Sequence, residues 1–282
     1  AYAARSARSM AAISTQLADS CASSICVRQR GEGMEVYGLS DKGLRRELNE
    51  DSYMCVRNES GDLLVCVCDG IGGNAAGEVA SSLAVELFQE RFAQTARFRN
   101  EQSVRRWLKQ VISEANDLIF AAASRSSSRK GMGTTCVGIL HAGAKTFSFN
   151  VGDSRVYALY DSALCCVTQD LSYIADLMRK GSITPEEARV HPARNMLTNA
   201  LGVWDRVRID IEKLKEEYQA LLVCSDGLHG YVSEDTICTV LADADRTAKD
   251  KAELLVQLAN DMGGYDNVTV VVVQKEADEV NG

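Results

Sequence analysis

Two stretches that read as buried strands end on the same dipeptide. Residues 64–70, LVCVCDG, and residues 221–227, LLVCSDG, each run apolar or thiol side chains straight into Asp-Gly. A strand buried on both faces is apolar throughout, and a carboxylate at its end needs a partner to offset its desolvation. One such Asp-Gly reads as a turn. Two in one chain point to two carboxylates, Asp69 and Asp226, brought to one place.

The pattern between them sets the fold class. Short strands are expected at 34–40, 63–68, 134–140, 146–151, 154–160, 163–168, 207–211, 221–225 and 267–274, where β-branched, aromatic or alternating apolar residues are bounded by Gly or Asp. From Gly77 to Phe92 the apolar positions Val79, Leu83, Leu87, Phe88 and Phe92 recur at helical spacing. A second helix is expected from about Ser103, with Ser103 as its cap, and 124–133 reads as a polar loop. Short helices are expected at 172–181 and 184–191, the latter with Thr184 as cap and Pro185 in its first turn. Two more are expected at 233–242 and 251–262. Hairpins flanked by helices predict an α+β fold, with antiparallel sheets and helices packed outside.

Composition excludes some functions. The net charge of −8, from 31 basic and 39 acidic residues, argues against nucleic acid as the main partner. No apolar run approaches the roughly 18 residues of a membrane span, so no membrane association is expected. The ten cysteines contain no Cys-x-x-Cys pair, and four of them, Cys66, Cys68, Cys136 and Cys224, lie inside strand-like runs. That placing reads as free thiols in a reducing compartment, with the cytoplasm as the expected location. Residues 1–33, rich in Ala, Ser and Arg, read as a mobile N-terminal extension. Their bias is also that of an organelle transit peptide, a weaker reading. Residues 34–276 form the expected domain and 277–282 a polar tail.

Five polar clusters touch the ends of expected strands. They are RRELNEDSY with Arg46, Asn49, Glu50 and Asp51; Asp69-Gly70; NVGDSR with Asp153; Asp226-Gly227; and GGYDNVT with Asp266 and Asn267. Strands of one sheet bring their ends to a common edge, so these acids can converge. Converging carboxylates repel unless a cation neutralises them, and oxygen-only ligands select Mg²⁺, Mn²⁺ or Ca²⁺ over zinc. Two metals about 3.5–4 Å apart can hold a bridging hydroxide and polarise a phosphoryl oxygen. No cysteine is followed by Arg six positions later, so a Cys-x5-Arg phosphatase is excluded.

In order, the phrases GLRRELNEDSY, VCDGIGGNAAGEVAS, GMGTTCVGIL, NVGDSRVYAL, VTQDLSYIADLMRKGSITPEEARVHPARNMLTNALG, CSDGLHGYVS and GGYDNVTVVVV resemble the bacterial-type members of the metal-dependent Ser/Thr protein phosphatases of type 2C, the PPM family. The resemblance covers roughly 34–274. It implies a four-layer αββα sandwich, two antiparallel β-sheets flanked by helices, with a binuclear Mn²⁺ or Mg²⁺ site at one end. It implies that Asp69 bridges both metals, that the Gly70 carbonyl binds the first, and that Asp226 and Asp266 bind the second. Glu50 would hold a metal-bound water, Asp51 would support the site, and Arg46 would grip the substrate phosphate. A third metal would rest on Asp153 and Asp226. Segment 170–202 matches the family's flap, with His191 and Asn195 as its substrate-side residues. The activity implied is hydrolysis of phosphoserine and phosphothreonine by a hydroxide bridging two metals. The protein would act as a monomer on phosphoproteins, opposing a Ser/Thr kinase.

The chain departs from that pattern in three places. Ile71 stands where many eukaryotic members have His, which leaves the general acid unassigned. Gly230 stands where an acid or amide often helps a third metal. Leu171 replaces His at the start of the flap, and His141 and His229 read as ordinary polar residues. Two alternatives stay open: a catalytically weak phosphatase-fold binding module, and a small-molecule phosphohydrolase.

Overall fold

The computed structural model describes residues 25–27, 33–72 and 76–275. The expectations for most of 1–33 and for the tail 277–282 lie outside the described residues. Two antiparallel sheets face one another. The first has the order β1 (Ile25–Val27), β2 (Met34–Asp41), β12 (Val268–Lys275), β11 (Ala220–Cys224), β8 (Arg155–Tyr160) and β9 (Ala163–Cys166). The second has the order β10 (Asp210–Lys213), β7 (Lys145–Val151), β6 (Cys136–Ala142), β4 (Leu63–Ile71) and β3 (Asp51–Arg57), with the short β5 (Gly133–Thr134) paired to the end of β4.

Alternation along β4 explains why its sequence is apolar throughout. Leu63, Val65 and Val67 join the core between the sheets, with Val137, Ile139, Leu221, Val223, Val271 and Val273. Leu64, Cys66 and Cys68 face the opposite way, into a core formed with helices α1 (Ala76–Ala93) and α2 (Glu101–Ser124). β11 does the same on the other side. Its Leu222 and Cys224 meet α6 (Glu234–Ala242) and α7 (Ala248–Asp261). Both strands are central in a helix–sheet–sheet–helix stack, so neither has a polar face. Each fully buried Leu or Val is worth about 1.5–3 kcal/mol relative to exposure.

Several boundaries differ from the sequence reading for local reasons. Strand β3 is missing from that reading because its ends, Asp51, Ser52 and Arg57, are polar; it is an edge strand, in register with β4 from Asp51↔Asp69 to Arg57↔Leu63. The expected strand 134–140 is broken at Thr135, whose N–H leaves the ladder to bond the Asp69 carbonyl at 2.8 Å. The expected strand 207–211 begins only at Asp210, because the Arg208 N–H and carbonyl are both taken by the Asn199 side chain rather than by a neighbouring strand. Helix α2 begins at Glu101, with Asn100 as cap and Ser103 completing a capping box. Helix α7 likewise begins at Ala248, capped by Thr247. The flap carries α3 (Tyr173–Arg179) and α4 (Pro185–Val190), the latter capped by Thr184 as expected. Among the described residues no helix is long and apolar enough to cross a membrane.

Candidate active site

The acids gather at one end of the sandwich. Asp69 lies near the end of β4, Asp226 opens the short helix α5 (Asp226–His229) directly after β11, and Asp266 lies just before β12. Asp153 sits in the crossover from β7 to β8, which joins the two sheets. All four line a pocket of about 180 Å³ with Arg46, Glu50, Gly70, Asn195 and Asn267. Asp51 and His191 do not line it.

Backbone clamps hold the central carboxylate. The Asp69 N–H donates to Thr135 Oγ1 at 2.9 Å, and its carbonyl accepts from the Thr135 N–H and from Thr134 Oγ1. Thr135 Oγ1 also meets Ser154 Oγ at 2.8 Å, tying the Asp69 strand to the Asp153 loop. Gly70 has a steric reason to be glycine. A Cβ there would collide with the backbone of Gly77, at the start of α1, and of Glu50. The packing of α1 demands glycine here independently of any metal role for its carbonyl.

Asn267 organises the loop that carries Arg46 and Glu50. Its Nδ2 donates to the carbonyls of Lys42 and Leu48, and its Oδ1 accepts from the Glu50 N–H at 2.9 Å. Glu50 Oε1 accepts from the Gly77 N–H at 3.1 Å. The Nη2 of Arg46 stands 2.8 Å from both carboxylate oxygens of Asp266. The guanidinium side chain is 45% exposed, so it faces the pocket opening rather than the core.

The electrostatics are those of crowded carboxyls. Burial pushes Asp69 and Asp153 well above the usual carboxylate range, and the charges of neighbouring acids add to the shift. Asp226 is pushed up to about 6, chiefly by burial and then by Asp266. Asp51 is pushed up to about 7, again chiefly by burial, against hydrogen bonds from Thr269 and Ser225. Its Oδ2 accepts from Ser225 Oγ at 2.8 Å, while its buried Oδ1 has no partner. A set of carboxylates, one backbone carbonyl and no imidazole or thiol fits hard divalent cations, which would offset the mutual repulsion of these acids.

His229, read from sequence as an ordinary polar residue, is a half-buried structural donor. Its Nε2 donates to the Asp153 carbonyl at 3.1 Å, and burial lowers its pKa to about 3. A neutral ring thereby holds the Asp153 backbone. His191 makes a local bond: its Nδ1 accepts from the Ala193 N–H at 3.1 Å. Asn195, from the same flap, does reach the pocket. Asn267 was singled out from sequence beside Asp266, without its role on Glu50; Thr135 and His229 were not expected at the site, and the adjacent Thr134-Thr135 within GMGTTC was the available signal for the first of them.

Residues 44–260 match the family profile described as Protein phosphatase 2C. The chain belongs to the protein phosphatase 2C family. It is 37% identical over 238 residues to the serine/threonine phosphatase Stp of Listeria monocytogenes, covering 84% of this chain and 94% of that one. It is 31% identical over 247 residues to the protein phosphatase PhpP of Streptococcus pneumoniae, covering 87% and 99%. Among solved structures, a serine/threonine phosphatase of Staphylococcus aureus superposes with a TM-score of 0.81 at 35% identity, over 90% of this chain and all of that one. The catalytic domain of the phosphatase PstP, solved in complex with two manganese ions, superposes with a TM-score of 0.74 at 32% identity, over 86% of this chain and 99% of that one.

Proposed function

We propose that this protein is a metal-dependent phosphatase acting on phosphoserine and phosphothreonine in proteins. The observation that carries the reading is the meeting of Asp69, Asp153, Asp226 and Asp266 around one small pocket with Arg46 at its edge. So many acids would repel a phosphate dianion, so the pocket can receive one only after cations neutralise it. Bound there, two divalent cations, Mn²⁺ or Mg²⁺, would supply an activated water and neutralise the phosphoryl oxygens.

The chain's own groups then have separate tasks. Asp69 and the Gly70 carbonyl would hold one cation, and Asp69, Asp226 and Asp266 the other. Glu50 has one oxygen fixed by the Gly77 N–H and would reach its cation through water. Asp51 supports from beside the pocket through Ser225, the residue before Asp226. Asp153 and Asp226 would hold a third cation. Arg46 places Nη2 on Asp266 and keeps Nε and Nη1 for the phosphate, in the planar fork that matches phosphoryl oxygens. No histidine lines the pocket among the described residues, so the leaving oxygen takes its proton from water or a carboxyl group. The substrates on this reading are phosphoproteins made by a Ser/Thr kinase. The free thiols among the described residues fit the reducing cytoplasm.

The test is turnover of a phosphothreonine peptide with Mn²⁺, with Mg²⁺ and with EDTA. Turnover with either metal and none in EDTA is expected. Turnover undiminished by EDTA would overturn the reading, and absence of turnover with any metal would favour a binding module.

A further inference from the structure

Beyond the 180 Å³ pocket the site opens into a larger groove of about 730 Å³. The two share Asp153, Asn195, Asp226 and Asp266, so a phosphoryl group seated among those acids leaves the rest of its substrate at the groove's mouth. The groove runs between the flap helices α3 and α4 and the turn from α5 into α6. Ile174, Met178 and Ala188 form its flap wall, and Val232 lies across from them. Its volume falls in the range, about 300–1,000 Å³, of sites that enclose ligands well beyond the size of a phosphate.

The end remote from the catalytic acids is negatively charged. The groove continues into a further hollow that shares Arg155, Asp170, Met178 and Glu234 with it and none of the catalytic acids, so Glu234 stands at that remote end. Arg155 balances only part of the charge there, because its one guanidinium serves two carboxylates: Nε and Nη2 hold Asp170 at 2.9 and 2.7 Å, and Nη1 pairs with Glu234 at 3.5 Å, where Tyr157 Oη also donates to Glu234 Oε1. The hollow's other cation, Arg179, is paired with Asp176 at 3.0 Å. The Glu234 side chain remains 60% exposed, and the neighbouring Asp235 makes no ion pair among the described residues. The groove's other cation, Arg194, is adjacent in sequence to Asn195, which lines the catalytic pocket.

We propose that this groove takes the polypeptide flanking the phosphorylated residue, and that Glu234 and Asp235 select a lysine or arginine several residues from it. The inference rests on the phosphatase reading above and adds a substrate class to it: phosphosites with a basic neighbour on one side. Continuity with the catalytic pocket fixes the occupant as substrate, and the unbalanced acids fix its charge.

The test compares phosphothreonine peptides that differ in one residue, Lys or Glu, stepped from two to six positions away on each side. A small aryl phosphate, too short to reach the groove, is the control. Two exposed or half-exposed ion pairs predict a Lys-over-Glu preference in kcat/KM of about fivefold or more at one side, weakened by salt. In the E234Q/D235N double variant the preference should fall below about twofold, with aryl phosphate turnover unchanged. Equal turnover of all peptides by the wild-type chain, or a preference that survives in the double variant, would overturn the proposal while leaving the phosphatase reading intact. Failure to hydrolyse the aryl phosphate and every peptide would instead overturn the phosphatase reading, and the proposal with it.

Discussion

The buried Asp51 carboxyl gives the metal-free protein an unusual dependence on pH. Its ordinary value of 3.8 is pushed up to about 7 in the folded chain. Between those values the folded chain keeps a proton that the unfolded chain releases. Stability therefore falls as pH rises through this window: the full contribution is present below about 3.8 and is lost by the time pH passes about 7. At 1.36 kcal/mol per pH unit the loss from this one group is about 4 kcal/mol, an upper figure because the neighbouring acids titrate with it. Asp226, pushed up to about 6, works in the same direction. Asp51→Asn removes the ionisation and keeps an acceptor for Ser225 Oγ. Thermal melts in EDTA at pH 5 and pH 8 should show the wild-type chain losing stability at the higher pH. Asp51→Asn should lose far less, and should melt roughly 5–15 °C above wild type at pH 8. Mn²⁺ should raise the wild-type midpoint more at pH 8 than at pH 5, because its ligands must be deprotonated. Identical pH slopes for wild type and Asp51→Asn would refute the reasoning, since the carboxyl could not then be the buried, raised group described.

Other expectations concern what holds the site in place. Gly70→Ala drives a Cβ into the Gly77 and Glu50 backbones, so it should cost at least about 1–3 kcal/mol in chemical denaturation and most of the turnover; a variant as active as wild type would show that α1 can retreat freely. Thr135→Val leaves the Asp69 N–H and Ser154 Oγ without their shared partner, and should cost about 1–3 kcal/mol and lower kcat more than it raises KM. Arg155→Met breaks the twofold clamp on Asp170 at the base of the flap, and hydrogen exchange should speed up across 170–179 while the central strands stay protected.

The parts of the fold that could be read from sequence are those whose cause is local. β4 and β11 announce themselves because a strand covered on both faces has no polar positions, and each ends on its Asp-Gly. Pro185 after Thr184 marks the start of α4 for an equally local reason. β3 escaped notice because it is an edge strand with polar ends, and its role comes from pairing Asp51 with Asp69. The supporting residues were illegible for a related reason. Thr135 acts on Asp69 across 66 residues and His229 on Asp153 across 76. A threonine or a histidine carries no local mark of such a partner, whereas a carboxylate ending a buried strand does; Asn267 stood out beside Asp266, but its bond to Glu50 across 217 residues did not. His191 shows the reverse case: flap sequence drew attention to it, yet its ring serves the turn at Ala193.

The central claim is that the carboxylates gathered at the sheet ends hold the cations on which phosphate hydrolysis depends. Asp69→Asn tests it most directly, with Mn²⁺ binding followed by calorimetry and phosphothreonine turnover measured on the same sample. The account predicts that binding and turnover are lost together while the circular dichroism of the folded chain is retained. A folded Asp69→Asn protein that still turns over the peptide at the wild-type rate would contradict it.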